Sequence, residues 1–467
     1  MNLKDFLAGL SDFWSEFRRD KAGLVGLAIL AVAILAIIFE PVIVPFKEVN
    51  SKWRDINYWE DNSSGAPPAW TNAFSSEKKA VTTSLNKPRM EEIEGDGVSI
   101  RRYEFDYSYK YEQPPLDVIF RAEGWGTFPI LVSVERPDGQ VIDLYQYVAE
   151  GLEGDDLRVT LSNDSKSAAY QFLAANASEA DMADYDSYAV KPMTIMFAEA
   201  GASMATAPVP LAGEYKFIVQ TMVMSEDVRI ENAHFTVVGA VSGILGSDTG
   251  KRDLFSGLLA GLKWALLIGF VTSFISVLLG VLYGIISAYF GGAIDSAMNF
   301  VYELFVSMPV LPILIVISAV FKPSIWFIIA ALVVFSWTGP VKTVRSMAMQ
   351  IKEETYIEAA RALGAGKWRI IFKHMLPLLI PYSFASMALS VPGAILYEAS
   401  VSLLGLGDAT ITTWGQILHD ALSSGAVLNG LWWWVVPPGF SIAIMGMSFA
   451  FIGSAMDKIL HPKLRTR

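Results

Sequence analysis

The chain has 467 residues, 53% of them hydrophobic, and its mean hydropathy of +0.39 excludes an ordinary soluble protein. Its formal net charge is −11, and the acidic excess lies between residues 46 and 245, which leaves the apolar remainder slightly basic. Because the sequence contains no Cys, disulfides, thiolate metal sites and Cys nucleophiles are excluded. The composition predicts a membrane protein with one acidic, soluble insert.

The N-terminal segment predicts a surface helix followed by a first membrane span. Over residues 1–20, apolar side chains from Leu3 to Phe17 recur every three or four positions, which is typical of an amphipathic helix. This helix either lies in the membrane interface or packs against the protein's own helices. Residues 21–46 then hold an apolar run long enough to cross a hydrocarbon core of about 30 Å. The basic residues before this run predict a cytoplasmic N-terminus.

Residues 47–245 are expected to form an extracytoplasmic, β-rich domain with a sandwich-like arrangement. The turn Pro137-Asp138-Gly139 predicts a hairpin, and residues 166–180 favour a helix. Alternating or aromatic-rich runs predict strands over residues 99–111, 117–122, 128–135, 141–147, 214–224 and 228–238. Sequons at Asn62, Asn163 and Asn176 leave glycosylation open.

The C-terminal half predicts a re-entry segment, 246–263, and a membrane core, 264–456. Five apolar runs inside this core are expected to span the bilayer: 264–290, 297–321, 325–344, 381–404 and 431–456. With the first span they make six, so both termini fall on one side. Basic residues in the loop 345–377 and in the tail 457–467 agree with the basic N-terminus, which predicts a cytoplasmic position for all three.

The loop between the fourth and fifth spans carries the most specific pattern. Residues 353–364 favour a helix that ends at Gly364, and residues 368–375 favour a second helical turn, so a helical hairpin is predicted. The small side chains of Ala359 and Ala360 allow another protein to approach closely. The segment 364–367 lacks the Ser or Thr and the preceding strand of a phosphate-binding loop, so the energy source is expected to be a separate protein.

This loop resembles the cytoplasmic motif of permeases of ATP-binding-cassette (ABC) importers. The resemblance rests on Glu358-Ala359-Ala360, on Gly364 and on Leu376-Pro377. His374, two residues before Leu376-Pro377, resembles the pattern of the dipeptide and oligopeptide branch of this family. Further segments resemble the "C"-type permeases of that branch: Arg19–Leu24, Gly246–Asp253, Ala288–Gly292 with Asp295, Leu404–Gly407 and Trp414-Gly415. The long insert departs from the family pattern.

The resemblance implies the fold of a type I ABC importer permease, with six transmembrane helices and the β-rich domain between the first two. It implies a homologous second permease subunit, two ABC ATPase subunits and an extracytoplasmic substrate-binding protein as partners in the cell membrane, and no nucleic acid. The expected function is translocation of di- and oligopeptides by alternating access, without a catalytic site or cofactor in this chain. Oligosaccharides or nickel are the alternative substrates, and an ion-coupled secondary transporter is the alternative class.

Two sets of candidate residues follow. Contact with an ATPase is expected at Glu353, Glu354, Tyr356, Glu358, Ala359, Ala360, Arg361 and Gly364. Pore lining is a hypothesis for Glu303, Met308, Pro309 and Glu398; the alternative is a hydrogen bond between helices for the two carboxylates and a kink at Met308-Pro309. The four His residues lack metal-ligand spacing, so no metal site is predicted. The insert is expected to guide the binding protein, to cover the pore mouth or to brace the partner permease.

Overall fold

A computed structural model describes residues 13–44, 46–95, 98–153, 157–182, 185–186, 189–223, 228–321 and 324–460. The chain forms two compact units, a membrane unit of Met1–Arg54 with Phe255–Arg467 and an insert unit of Asp55–Leu254. Most of the predicted N-terminal surface helix and the end of the basic tail lie outside the described residues. Within them, residues 13–17 are helical.

The helices are numbered in chain order, and α3 to α5 belong to the insert unit. They are α1 (Lys21–Ile43), α2 (Val49–Lys52), α3 (Asn163–Asn176), α4 (Glu179–Met182), α5 (Pro192–Met196), α6 (Leu254–Phe290), α7 (Gly292–Ser307), α8 (Val310–Val320), α9 (Ile325–Ser336), α10 (Val341–Lys352), α11 (Thr355–Ala362), α12 (Lys367–Ile370), α13 (Leu376–Leu403), α14 (Trp414–Ser423) and α15 (Trp432–Leu460).

The helices confirm a multi-pass membrane fold. Among the described residues, four helical stretches are long and apolar enough to cross a bilayer: α1, α6, α12 with α13, and α15. The bent pairs α7–α8 and α9–α10 bring the number to six if each pair counts as one span. The β-rich domain lies between the first of these helices and the second, as predicted.

Two predicted spans are not continuous helices. The run 297–321 breaks at Met308-Pro309, where α7 and α8 meet at 76°. The run 325–344 breaks before Pro340, where α9 and α10 meet at 50°. In both places the proline lacks a backbone N–H and its ring clashes with a continuing helix. Hydropathy averages over such a break, because the residues on both sides of it are apolar.

Two other helices begin earlier than the hydropathy pattern predicted. The second span starts at Leu254, ten residues before the expected boundary at Trp264. The fifth starts at Leu376, directly after a π-helical turn over Ile371–Met375. The added turns of the second span include Ser256 and Lys263, which interrupt the apolar run. The added residues of the fifth span, 376–380, are apolar, and the prediction began that span too late, at Pro381.

The insert unit is a half-barrel of one antiparallel sheet, so the expected sandwich is wrong. Its strands are β1 (Thr83–Leu85), β2 (Arg89–Gly95), β3 (Val98–Tyr109), β4 (Asp117–Glu135), β5 (Val141–Glu153), β6 (Leu157–Arg158), β7 (Gly213–Val223) and β8 (Arg229–Val238). Their order is β1-β8-β4-β7-β3-β2, with β5 and β6 paired to β4. The predicted helix 166–180 is α3, three residues earlier at its start.

Strand β4 curves the sheet because its two halves have different neighbours. The first half pairs with β8, and the second half pairs with β5 and β7. Register shifts separate the halves, and Gly126 lies between them with a φ of +85°, a conformation that favours glycine. Two predicted strands, 117–122 and 128–135, are therefore one bent strand. The predicted hairpin at Pro137-Asp138-Gly139 is confirmed between β4 and β5.

The insert begins and ends at adjacent points of its unit. The Ala69 N–H donates to the Gly243 carbonyl at 3.0 Å, and the Ser242 N–H donates to the Pro67 carbonyl at 3.0 Å. Asp248, which is fully buried, accepts the Arg252 N–H at 2.9 Å and closes the loop of the Gly246–Asp253 motif. The chain therefore enters and leaves the sheet at two neighbouring points that are hydrogen-bonded to each other. Such a connection tolerates an inserted domain.

Candidate functional site

The predicted hairpin is present, and one side chain of its first helix anchors it. Ile357 of α11 is fully buried in an apolar cluster that includes Ile285 of α6, Val344 of α10 and Ile370 of α12. Burial of an aliphatic side chain of this size contributes about 1.5–3 kcal/mol. The short helix therefore packs against two longer helices, α6 and α10, and against the short α12.

A glycine-dependent cap ends the first helix. The Gly364 N–H donates to the Arg361 carbonyl at 3.0 Å, and the Ala365 N–H donates to the Ala360 carbonyl at 3.0 Å. Gly364 has a φ of +85°. These two bonds and the left-handed residue form a Schellman motif, so Gly364 is the stop that the sequence predicted.

The opposite face of α11 is exposed. Tyr356 is 43% exposed and Leu363 is 89% exposed, and Glu358, Ala359 and Arg361 also face outward. Partial burial, together with the charge of Glu354, raises the pKa of Tyr356. The exposed surface combines small, charged and apolar groups, a composition suited to a protein contact.

Glu353 and Glu354 lie before the helix, although the sequence suggested that they belong to it. Glu353 caps the C-terminus of α10. Glu354 is the residue before α11 and has an extended backbone, and its carbonyl accepts the Ile357 N–H at 2.9 Å. The two residues form the corner between the helices.

The second arm of the hairpin packs on the turn between α6 and α7. The Lys367 ammonium lies 5.4 Å from the centroid of the Phe290 ring, and the Trp368 ring lies 6.1 Å from that ring. From α10, the Lys352 ammonium donates to the Ala288 carbonyl at 3.4 Å. The turn therefore contacts both the hairpin and the helix that precedes it.

A charged pair that the candidate list omitted joins α7 to α10 beside this turn. The Arg345 guanidinium donates to both carboxylate oxygens of Asp295, one of them at 2.8 Å. Ser287 of α6 also donates to this carboxylate, and Asn299 does so at 3.0 Å. Asp295 belonged to a recognised motif, but its partner lies fifty residues away and the sequence gives no signal of the pairing.

The candidate pore residues of α7 and α8 have different surroundings. Glu303 pairs with Lys342 of α10 at 2.8 Å, and both side chains are about 60% exposed. Met308 is 39% exposed and, with Pro309, forms the break between α7 and α8. The break replaces the expected kink within one helix, and pore lining stays a prediction for these residues.

Glu398 is buried inside the subunit, and pore lining stays a prediction for it. It is 3% exposed and accepts hydrogen bonds from Ser402 at 2.7 Å and from Thr413 at 2.9 Å. Gly407 and Gly415 approach Ser402 so closely that a Cβ at either position would lie under 3.0 Å from it. The two glycine motifs in 404–415 thus fold the loop onto α13 around this carboxylate.

Two family models and several curated relatives match this chain. The family "Binding-protein-dependent transport system inner membrane component" matches residues 280–466, and "N-terminal TM domain of oligopeptide transport permease C" matches residues 10–67. The dipeptide transport system permease protein DppC of Bacillus subtilis is 36% identical over 221 residues, which cover 47% of this chain and 68% of that protein.

Other relatives are also permease proteins of transport systems. The oligopeptide transport system permease protein OppC of Haemophilus influenzae is 32% identical, with 52% of this chain and 74% of that protein covered. The peptidoglycan transport system permease protein YejE of Agrobacterium fabrum is 31% identical, with 47% and 57% covered. The inward-facing MetNI methionine ABC transporter matches at 20% identity with a TM-score of 0.32, covering 45% of this chain and 97% of that one, which is too weak for a structural argument.

The multi-pass fold and these matches define a membrane-embedded transport subunit without a catalytic centre of its own. The chain belongs to the binding-protein-dependent transport inner-membrane components, and within them it is an ABC importer permease of the peptide family. Membership in this family implies ATPase and binding-protein partners.

Proposed function

We propose that this permease carries di- and oligopeptides across the membrane by alternating access. ATP closes two partner ATPases, one of which holds α11; movement of α11 then turns the helices attached to it and opens the pore to the outside. Hydrolysis reverses the movement. The proposal is supported by relatives whose names specify dipeptide and oligopeptide transport.

The anchored hairpin is the observation that carries this mechanism. Ile357 is buried among α6, α10 and α12, while the opposite face of α11 is exposed. A force applied to that face reaches the membrane helices because the contact between them is close-packed. A slack loop would absorb the displacement.

The proposed assembly has a second, homologous permease, two ATPases and an external binding protein. We place both termini and the hairpin in the cytoplasm and the half-barrel outside. Basic residues near the hairpin and the termini support this orientation.

Charge reversal on the exposed face of α11 tests the coupling role. In proteoliposomes that contain the complete transporter, Glu358→Lys is expected to abolish ATP-driven peptide uptake while membrane insertion stays normal, because it places a repulsive charge in the ATPase contact. The matched control is Glu150→Lys, an exposed carboxylate of β5 in the insert unit. Unchanged uptake with Glu358→Lys would refute the mechanism.

Peptides derived from peptidoglycan are a second candidate substrate, because the relative from Agrobacterium fabrum is named for peptidoglycan transport. Competition between a labelled tripeptide and a peptidoglycan-derived peptide of equal length in the same uptake assay separates the two. If only the peptidoglycan-derived peptide binds and is taken up, it replaces ordinary peptides as the proposed substrate.

A further inference from the structure

An apolar groove of about 250 Å³ runs along the surface of the membrane unit between α6 and α13. Its floor includes Val277 and Val281, which are almost fully buried. Its rims are exposed, larger side chains: Phe274 and Leu278 of α6, and Ile380 and Phe384 of α13. Both helices are long and apolar enough to cross a bilayer, so the groove lies at membrane depth.

The lining of this groove favours a hydrocarbon chain as its occupant. Eight of its nine lining side chains are apolar, and the ninth is Ser383, whose hydroxyl donates to the Leu379 carbonyl of its own helix at 2.7 Å. Helix–helix contacts in membranes use small side chains that allow close approach, whereas Phe, Leu, Ile, Met and Val line this groove. A cavity of about 150 Å³ holds a benzene molecule, so the groove holds a stretch of roughly ten carbon atoms.

One end of the groove continues into a basic and aromatic segment. Leu376, a lining residue, is the first residue of α13, and α12 and the π-helical turn before it carry Arg369 and Lys373, both exposed. Trp368 and Phe372 are exposed in the same segment, with ring centroids 6.0 Å apart. Aromatic rings together with Lys and Arg at the end of an apolar span are typical of the level of the lipid headgroups.

The two elements that form the groove carry no carboxylate along this stretch. Residues 254–294, which include all of α6, contain no Asp or Glu, and neither do residues 359–397, which include α12 and most of α13. The second range contains four cations: Arg361, Lys367, Arg369 and Lys373. The charge that these elements contribute at this end of the groove is therefore positive.

Carboxylates on neighbouring elements form no ion pair with the two cations next to the groove. These carboxylates are Asp295 of α7, Asp457 of α15 and, at the hairpin, Glu353, Glu354 and Glu358. Asp295 already pairs with Arg345, and none of them pairs with Arg369 or Lys373 in the part of the chain that the structure describes. Two exposed cations beside an apolar groove match the headgroup of an anionic lipid.

We propose that the groove between α6 and α13 binds an acyl chain of an anionic phospholipid, whose phosphate group is held by Arg369 and Lys373. The floor residues Val277 and Val281 belong to the apolar cluster that also buries Ile357, so the bound chain packs against the anchor of α11. The site is independent of the transported substrate, because the lipid is recognised by the lining of the groove and by the cations at its end.

Native mass spectrometry of the complete transporter tests the site. After delipidation in detergent, the transporter is titrated with dioleoyl phosphatidylglycerol and with dioleoyl phosphatidylcholine, which have the same acyl chains and differ in headgroup charge. Phosphatidylglycerol is expected to bind at least about tenfold more tightly, because both cations attract its headgroup. Equal affinity for the two lipids overturns the proposal.

A variant that fills the groove locates the acyl chain. Ser383→Phe is expected to remove one tightly bound phosphatidylglycerol per permease. The matched control is Ser390→Phe, because the Ser390 hydroxyl also bonds within α13 but the residue does not line the groove; it is expected to keep that lipid. Full retention of lipid by Ser383→Phe overturns the proposal, and release of the partner permease by the same variant would then assign the groove to a protein contact.

A second variant removes the charges and leaves the groove open. Arg369→Gln with Lys373→Gln is expected to weaken binding of phosphatidylglycerol about tenfold and to leave binding of phosphatidylcholine unchanged. The control, Arg19→Gln with Lys21→Gln, removes two exposed cations next to the start of α1 and is expected to change neither affinity. Wild-type affinity for phosphatidylglycerol in the first double variant refutes the site even if Ser383→Phe fails to fold.

Discussion

At the scale of single residues, the pair of Asp295 and Arg345 is the strongest polar link found between α7 and α10. Asp295→Asn removes the charge that the guanidinium faces and is expected to lower the free energy of unfolding by roughly 1.5–3 kcal/mol, the range for hydrogen bonds to charged groups. Both side chains are under one-third exposed. Thermal denaturation in detergent, followed by tryptophan fluorescence, measures the change.

The matched control for this prediction is Glu303→Gln, which breaks the second ion pair between the same two helices. Glu303 and Lys342 are about 60% exposed, so solvent already screens their interaction and the expected change is small. If both variants lower the free energy of unfolding equally, the difference in burial between the two ion pairs does not determine their contributions to stability.

The hairpin turn of the insert unit contains an acid-sensitive contact. Burial alone would raise the pKa of the Asp138 carboxyl, but hydrogen bonds from Arg136 and Gln140 and the charge of Arg136 hold this pKa below its usual value of 3.8. Arg136 is almost fully buried and also donates to the carbonyls of Met196 and Ala198 at 2.7 and 2.6 Å. The ionised carboxylate therefore neutralises a buried cation that holds β4 to the chain after α5.

The sign of the pH dependence follows from that lowered pKa. The contribution of Asp138 to stability is present above its unfolded-state pKa and is lost as the pH falls through the lower folded-state pKa. Asp138→Asn should therefore destabilise the unit at neutral pH and match the wild type once the wild-type Asp138 carboxyl is protonated in both the folded and the unfolded state. Hydrogen exchange of the turn amides between about pH 3 and 7 measures this, with Asp143→Asn as the control; a constant difference across that range contradicts the assignment.

Residue-level chemistry was only partly predictable from the sequence. The cap at Gly364 was predictable because a cap depends on neighbours in the chain. The partner of Asp295 and the backbone carbonyls that accept hydrogen bonds from Arg136 were not, because they lie 50 and about 60 residues away and no local pattern encodes them.

At the scale of elements, the hairpin offers two glycines that differ in one property. Gly364 has a φ of +85°, whereas Gly366 has a φ of −67°, and open space surrounds both. Alanine at residue 364 is therefore expected to cost about 1–2 kcal/mol through backbone strain, and alanine at residue 366 less, because that position lacks the strain and loses only the preference for glycine at the N-cap of α12. Hydrogen exchange of amides 355–365 and peptide uptake should both change in Gly364→Ala only; equal behaviour of the two variants contradicts the cap.

The anchor of α11 makes a separate prediction about coupling. Ile357→Ala leaves a cavity in the cluster beneath the helix, and such a change costs about 2–5 kcal/mol. The expected result is ATP hydrolysis that continues while peptide uptake falls, because the helix moves without displacing the membrane helices. Val148→Ala, at a 63% exposed position of β5 in the insert unit, is the control. Parallel loss of hydrolysis and uptake would indicate failed assembly rather than uncoupling.

Element boundaries show where hydropathy succeeds and where it fails. It located α1 because every turn of that helix is apolar. It joined α7 to α8 because the residues around Met308-Pro309 are as apolar as the helices themselves. In the insert unit, the alternation of apolar and polar residues predicted six strand segments. Two of them belong to the single strand β4, because a register shift interrupts the alternation within it. The strands form one curved sheet, whereas the prediction was a sandwich.

At the scale of the whole molecule, the insert unit is a permease loop enlarged by a folded domain. The family matches fall at residues 10–67 and 280–466. The strands lie between these two ranges, and they leave and return where Pro67 bonds to Ser242 and Ala69 to Gly243. A domain attached through two neighbouring points places little strain on the rest of the chain. If the domain is removed, the short loop that joins these two points costs little entropy to close.

Replacement of residues 71–239 by a short Gly-Ser linker should therefore leave a permease that inserts and assembles. The junction retains Asp248 and its bond to the Arg252 N–H, together with the backbone bonds of Pro67 and Ala69. A longer deletion of residues 61–253 removes this junction and is expected to abolish stable assembly, since α6 then lacks a fixed connection. Size-exclusion chromatography with the partner subunits measures both. Failure of the shorter deletion to assemble would show that the half-barrel is required by the permease core.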